Sequence, residues 1–369
     1  MKALGILNFE PSSVYASGLE EYRPISAASF LGRYRVLDFM ISNFTNSGIN
    51  DIQVYIKNHP RSTVEHVTST SYNINNKRGH ILMLTSEKVF ENPIYNTDIA
   101  SFIANRKFIE DKKEEYVIIA PSHFIFIQDF DELLDKHIES GNDISLLYQS
   151  ISNANKAFEL CTTLKFNDEG YVEHLVLNNG KYKHRDLWLE CAILSRKLFL
   201  ELITKAQQTS SLYWFKDILD DQCENLKVGA FPHHGYVACM NTLKAYFKSQ
   251  IELRKMDNFS SIISPKWPIY TKTNDTCPTL YEGEGKAISS LVGNGCLIHG
   301  EVKNSIIGRD NKIGKGAVVD HCVLLPDSII GDGVHISYAV VDRYASVSLV
   351  KDIKGSEDSP LYVRRDEKI

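Results

Sequence analysis

From Ser289 onward the aliphatic residues keep a six-residue step. Val292 and Ile298 begin it, Ile307, Ile313, Val319 and Leu325 form a second series, and Ile330 and Ile336 resume it after a one-residue slip. Gly293, Gly308, Gly314 and Gly331 directly follow aliphatic positions of these series. A period of six with glycine in the next place is the pattern of a parallel β-helix. Each coil has three short faces, and stacked aliphatic side chains fill the interior. Isolated strands joined by glycine turns have no reason to hold that step over so many residues. The pattern predicts a short parallel β-helix over residues 288–352. Such a coil leaves strand edges and a flat face open, which suits contacts between subunits.

The residues before it follow another rule. Short apolar runs at Ala3–Leu7, Asp51–Ile56, Glu115–Ala120 and Asp143–Tyr148 alternate with helical patterns at Arg35–Ser47 and Phe130–Ser140. Buried strands alternating with helices predict an α/β domain with a mainly parallel sheet over residues 1–255. In such a sheet, ligands sit beyond the carboxyl ends of the strands, so the loops after Leu7 and Ala120 are the places to look for chemistry. Lys244–Leu253 reads as a closing helix. Residues 256–287, with Pro265, Pro268 and Pro278, read as a linker, and residues 353–369 as a charged C-terminal tail.

Composition excludes several function classes. The net charge of −5 over 369 residues offers no basic surface for nucleic acid. No stretch is long and apolar enough for a membrane span, and no signal peptide is visible, so a cytoplasmic location is expected. The seven cysteines are scattered without a Cys-x-x-Cys pair. They read as reduced, mostly buried thiols, with no zinc site.

The order of α/β domain, linker and short β-helix, together with Phe30–Ile49 (FLGRYRVLDFMISNFTNSGI), resembles the bacterial glucose-1-phosphate adenylyltransferase (ADP-glucose pyrophosphorylase) family. Trp267–Ile269 (WPI), Ser290–Gly300 (SLVGNGCLIHG), Cys322–Pro326 (CVLLP) and Val340–Arg343 (VVDR) extend the resemblance over nearly the whole chain. It implies a Rossmann-like nucleotidyltransferase domain followed by a left-handed β-helix. It also implies a reaction in which glucose 1-phosphate attacks the α-phosphorus of ATP, giving ADP-glucose and pyrophosphate. That chemistry needs donors around the triphosphate, cations against its charge, and carboxylates holding Mg²⁺.

Set against that pattern, the reactive positions have changed. The family's glycine-rich phosphate loop falls on Glu10-Pro11-Ser12-Ser13-Val14-Tyr15: no glycine remains, Glu10 brings negative charge, and Tyr15 stands for an arginine. Ser122 takes the place of one metal-binding aspartate and Cys239 that of the other, and neither is a good Mg²⁺ ligand. Val176 and Leu177 replace the glutamate and lysine of the sugar-phosphate site. A nucleotide-side motif is blurred into Asn96-Thr97-Asp98-Ile99-Ala100.

Loss at three separate places, and the opening Gly5-Ile6-Leu7-Asn8, resemble the second, GlgD-type subunit of the family. This implies a regulatory, catalytically impaired chain in a mixed tetramer with a catalytic-type subunit. Mg²⁺ and ATP would then be needed only at that partner, and this chain would hold no cofactor or metal of its own. Arg23, Arg33 and Arg35 are the candidates for a phosphorylated effector, although Ile25-Ser26 replaces the family's Lys-Pro. The competing reading for Arg33 and Arg35 is pairing with a carboxylate such as Asp38, or capping of the following helix. Asp38 reads as a buried structural partner. His233 and His234 read as solvent or interface histidines. Two other functions stay open: a weak or altered nucleotidyltransferase drawing metal ligands from Asp98 or Asp129, and a hexapeptide acyltransferase or scaffold using His299, His321 or His335.

Overall fold

The computed structural model describes residues 3–12, 14–68, 80–85 and 95–369. Ser13, part of the former phosphate loop, lies outside the described residues. Nine strands form one sheet, in the order Val172–Leu177, Thr162–Phe166, Arg185–Ser195, Tyr116–Pro121, Ala3–Asn8, Asp51–Ile56 and His80–Thr85; Ile144–Ile151 pairs with Arg185–Ser195 and with Val228–Pro232. Ala3–Asn8 runs parallel to both of its neighbours, and this parallel half carries the loops singled out above. Arg185–Ser195 runs antiparallel to Tyr116–Pro121, Ile144–Ile151 and Thr162–Phe166.

Both faces of the sheet are covered, as its strands require. Successive residues of Ala3–Asn8 point to opposite sides. Ala3 and Leu7 join Leu37, Met40, Phe44 and Phe130 in one core, while Leu4 and Ile6 join Phe102, Phe199 and Phe215 in the other. Each fully buried aromatic or aliphatic side chain contributes about 1.5–3 kcal/mol, so these two layers supply most of the driving force.

The helix Val36–Asn46 is the hub of the Phe30–Ile49 block, with every residue from Val36 to Phe44 buried. Its start is closed by the Arg35 N–H, which donates to Asp38 Oδ2 at 2.8 Å. Asp38 Oδ1 in turn meets His66 Nε2 at 2.8 Å, which gives Asp38 the structural role expected of it. Polar side chains on the same helix hold later parts of the chain. Trp267 Nε1 donates to Asn43 Oδ1 at 2.9 Å, and the Tyr270 N–H donates to Ser42 Oγ at 2.8 Å.

Three five-stranded parallel sheets follow and wind into the β-helix. Ile298, Ile313, Ile330 and Val347 fill its interior from one face, Val302, Val319, Ile336 and Ile353 from the second, and Ile307, Leu324, Val341 and Val363 from the third. Leu325 differs from the expected series. Leu324 points inward, so the step from Val319 is one residue shorter than six, and Leu325 faces the α/β domain. The glycines answer to coil stacking. A Cβ on Gly308 would lie 2.7 Å from Pro326 N of the next coil.

Two boundaries differ from the sequence reading. Within 256–287, Met256–Ile262 is helical, and Leu280–Tyr281 and Lys286–Ile288 already belong to the first coil. Residues 353–369 do not form a separate tail. Asp352–Lys354 and Leu361–Val363 add a fifth strand to two of the sheets, with Ile353 and Val363 buried. The Ser346 and Ser348 N–H groups donate to the carbonyls of Glu367 and Ile369, both at 2.7 Å. Charged residues there face water while two aliphatics face in, and the longer loop at 355–360 hides the period.

The third face of the coil packs on the α/β domain. Ile306, Val323 and Val340 share a core with Phe30, Leu31, Phe39, Tyr246 and Phe247. Gly32 sits where no side chain fits: its φ is +69°, and a Cβ would lie 2.7 Å from the Ile307 carbonyl oxygen.

Candidate functional site

The segment that begins at Glu10 turns its carboxyl inward. Glu10 is buried, one carboxylate oxygen has no hydrogen-bond partner among the described residues, and burial raises its pKa, with a backbone N–H and Lys57 opposing. Glu20, close enough to feel Glu10, is pushed up to about 7, mainly by burial. Lys57 lies over the Trp214 ring at 5.1 Å and the Phe9 ring at 6.0 Å, and the charges of Glu10, Asp98 and Glu20 all act on it. Tyr15 is 70% exposed, and its backbone N–H donates to the Asn241 carbonyl at 3.0 Å.

The neighbouring cleft is lined by Asn8, Phe9, Asp98, Trp188, Glu190 and Trp214 among others, and its volume is about 30 Å³. Pockets that take drug-sized ligands run to roughly 300–1,000 Å³, so this space holds a water or two. Asp98 is spent on the fold. It accepts from Asn8 Nδ2 and the Ile99 N–H at 2.8 Å each and from the Phe215 N–H at 2.9 Å, and burial pushes it up to about 6. Glu190 sits at a bulge in Arg185–Ser195 with φ 53°. Burial, with Asp98 and Glu10 nearby, pushes it up to about 8 against the opposing charge of Lys216. His123 Nε2 is 3.7 Å from Glu190, and burial holds this imidazole down at about 3.

Ser122 and Cys239 lie on adjoining elements, since Cys239 pairs with Phe124. The Ser122 N–H donates to the Asn8 carbonyl at 2.9 Å, while its buried hydroxyl has no partner. Cys239 is buried, its sulfur 3.6 Å from that of Cys161, and burial holds its thiol well above the usual range. Val176 and Leu177 end an edge strand and are exposed, far from the character of a phosphate pocket. Asp129 caps the helix Phe130–Ser140 by accepting from the Asp131 N–H at 2.9 Å.

The three arginines part company. Arg23 is buried in an ion pair with Asp342 of the β-helix, which also accepts from the Tyr362 hydroxyl. The Arg35 side chain donates to the Ser62 carbonyl, and burial lowers its pKa to about 10. Both are engaged by the fold, Arg23 across the two domains and Arg35 within the α/β domain. Arg33 alone of the three lines an open cleft, of about 360 Å³ between the two domains, with Tyr34, Asn274, Asn294 and Arg309. Among the described residues no carboxylate pairs with Arg33, and its charge lowers the pKa of Arg309, second to burial.

A nucleotidyl transferase family model matches residues 22–176, and a GlmU-like C-terminal hexapeptide model matches 277–358. The glycogen biosynthesis protein GlgD of Geobacillus stearothermophilus is 30% identical over 86% of this chain and 83% of its own. The chain belongs to this nucleotidyltransferase family. The GlgD of Bacillus subtilis is 23% identical over 98% of this chain and 95% of its own, and the glucose-1-phosphate adenylyltransferase of Thermosipho africanus is 27% identical over 79% and 72%.

Family membership makes Mg²⁺ the group to test. Mg²⁺ wants hard, negatively charged oxygens in near-octahedral array. A neutral Ser122 hydroxyl and a protonated Cys239 thiol do not fit it. Among the described residues no group of three or more His, Cys, Asp or Glu side chains could hold a metal ion. His233, expected at a surface, is instead buried, its Nδ1–H donating to Gln128 Oε1 at 3.1 Å. His321 stacks on Tyr338 at 4.9 Å and contacts Asp320 next to it, a corner role. No helix among the described residues is long and apolar enough to cross a membrane.

Sequence reasoning did not foresee that Lys57, Glu190 and His123 gather at this cleft, and it did not single out Arg309 beside Arg33. Only for Arg309 was there a signal, its place beside Gly308 at a coil corner. The bulge that aims Glu190 has no sequence mark.

Proposed function

We propose that this chain is a regulatory, catalytically impaired subunit in glycogen biosynthesis. It would assemble in a mixed tetramer with a catalytic-type ADP-glucose pyrophosphorylase subunit, and ATP and Mg²⁺ would act at that partner. The observation that carries this reading is the buried Glu10. Where the family's loop cradles a triphosphate, this chain places a carboxyl without a full set of partners, beside a cleft of about 30 Å³. Among the described residues, a triphosphate entering there would meet the carboxyl groups of Glu10, Glu20, Asp98 and Glu190, with Lys57 and Lys216 as the cations acting on them. The names of the relatives support glycogen biosynthesis as the setting.

The retained element is the surface around Arg33 and Arg309. Two guanidiniums facing one cleft suit a phosphorylated effector, and the loss of Arg23 and Arg35 to the fold narrows the site to this pair. A nucleotidyltransferase of weak or altered activity would need Asp98 or Asp129 as metal ligands, and both are held by backbone N–H groups.

The test is co-expression with a catalytic-type subunit, followed by native mass measurement and an assay of ADP-glucose formation. A mixed oligomer with altered kinetics is the expected result. Absence of a complex together with unchanged kinetics overturns the proposal, as does Mg²⁺-dependent turnover by this chain alone.

A further inference from the structure

Cys161 and Cys239 are 78 positions apart in sequence, yet their sulfurs are 3.6 Å apart. Among the described residues no other two cysteine sulfurs are in contact, and all seven thiols are free. Cys161 opens the strand Thr162–Phe166, and the loop before it holds Phe158 and Leu160 in the left-handed region, at φ 55° and 62°. Leu160 is exposed, so the loop borders solvent directly beside the pair. Asn241, two residues beyond Cys239, donates from Nδ2 to the Glu159 carbonyl at 2.7 Å and toward Cys161 Sγ at 3.5 Å. This amide therefore already holds the Cys161 loop against the segment that carries Cys239.

We propose that Cys161 and Cys239 form a reversible disulfide that staples the 153–161 loop to the strand carrying Cys239, with a peroxide as the oxidant. Closing the contact to a bond of about 2.0 Å takes a shift of under about 1 Å by each sulfur. Cys161, buried like Cys239, is oxidised first, because the exposed Leu160 directly precedes it and it accepts the Asn241 N–H. Its thiol takes one oxygen from hydrogen peroxide, giving a sulfenic acid and one water. The Cys239 sulfur then displaces that hydroxyl, which leaves as a second water with the Cys239 proton. Two thiols and one peroxide become one disulfide and two waters. Burial disfavours the Cys239 thiolate, so the second step speeds up as pH rises. The bridge would cross-link the side of the domain bearing the former sugar-phosphate positions to the side bearing the former metal position.

The full chain treated with hydrogen peroxide, unfolded in alkylating agent and digested without reductant tests this directly. The expected product is one cross-linked peptide pair joining Cys161 to Cys239, lighter by two hydrogen atoms and released by dithiothreitol. Cys277, which is exposed, reports that oxidant reached the protein. Cys161→Ser and Cys239→Ser should each abolish the cross-link. If a variant does not fold, the mapping of the unaltered chain still decides. The proposal fails if both thiols remain fully alkylated at a dose that oxidises Cys277, or if Cys161 is found bridged to Cys191 instead.

Discussion

Arg23 shows how a side chain suited to an anion can be taken by the fold. Its partner Asp342 is fully buried, and the pair joins the two domains. Removing one member of such a pair strands the other charge, at a cost of about 3–5 kcal/mol. Arg23→Ala is therefore expected to lower unfolding free energy by about that amount in denaturant titration, whereas Arg33→Ala should leave stability nearly unchanged. The buried carboxyls make a second prediction at this scale. Glu190 is pushed up to about 8 and Glu20 to about 7, so the folded chain holds protons that the unfolded chain releases. Their contribution is whole below the ordinary value of 4.5 and is lost as pH rises through the folded values. His123 and His233, held down at about 3 and 4, act in the opposite sense, but only below their ordinary 6.5. Above pH 7 the carboxyls act alone among these groups. The melting temperature should fall between about pH 7 and pH 8.5, and Glu190→Gln should flatten that slope. A wild-type melting temperature that climbs over this range would contradict the assignment.

At the scale of elements, the β-helix was legible because its chemistry repeats. Six-residue aliphatic spacing with glycine next in line needs no knowledge of the neighbouring domain. Gly308→Ala would press a methyl against the next coil's backbone, at an expected cost of about 1–3 kcal/mol, read as a drop in melting temperature. Residues 353–369 were not legible, since along a charged stretch only Ile353 and Val363 are buried, with Ile369 packed partly against the interior. Ending the chain after Val350 should expose the apolar interior at Ile336 and Val347. Loss of cooperative melting, or aggregation, is the outcome expected from size-exclusion and circular dichroism measurements. A truncated chain that melts like the whole would show that the last coil is dispensable. Glu190 lies at the other extreme, because a bulge within Arg185–Ser195 turns it toward the cleft and no spacing rule marks a bulge.

At the scale of the whole molecule, the Phe30–Ile49 block has a different weight than its sequence suggests. Gly32 lets the α/β domain touch the Ile307 backbone, and Asn43 and Ser42 hold the segment at Trp267–Tyr270. Gly32→Ala combines a left-handed φ with a backbone clash. It is expected to cost about 2 kcal/mol or more, and to loosen the domain contact in hydrogen exchange before either domain melts. The sequence by itself determined the two architectures, the family, and the absence of glycine and carboxylate at the former reactive positions. Each of these is written in local spacing or in single residue types. Only the tertiary structure decided that Arg23 and Arg35 are engaged by the fold while Arg33 lines a cleft, that Glu10, Asp98 and Glu190 gather with raised pKa values, and that Cys161 meets Cys239. Those outcomes depend on burial and on contacts between distant segments, and neither electrostatic environment nor long-range contact is encoded at any single position.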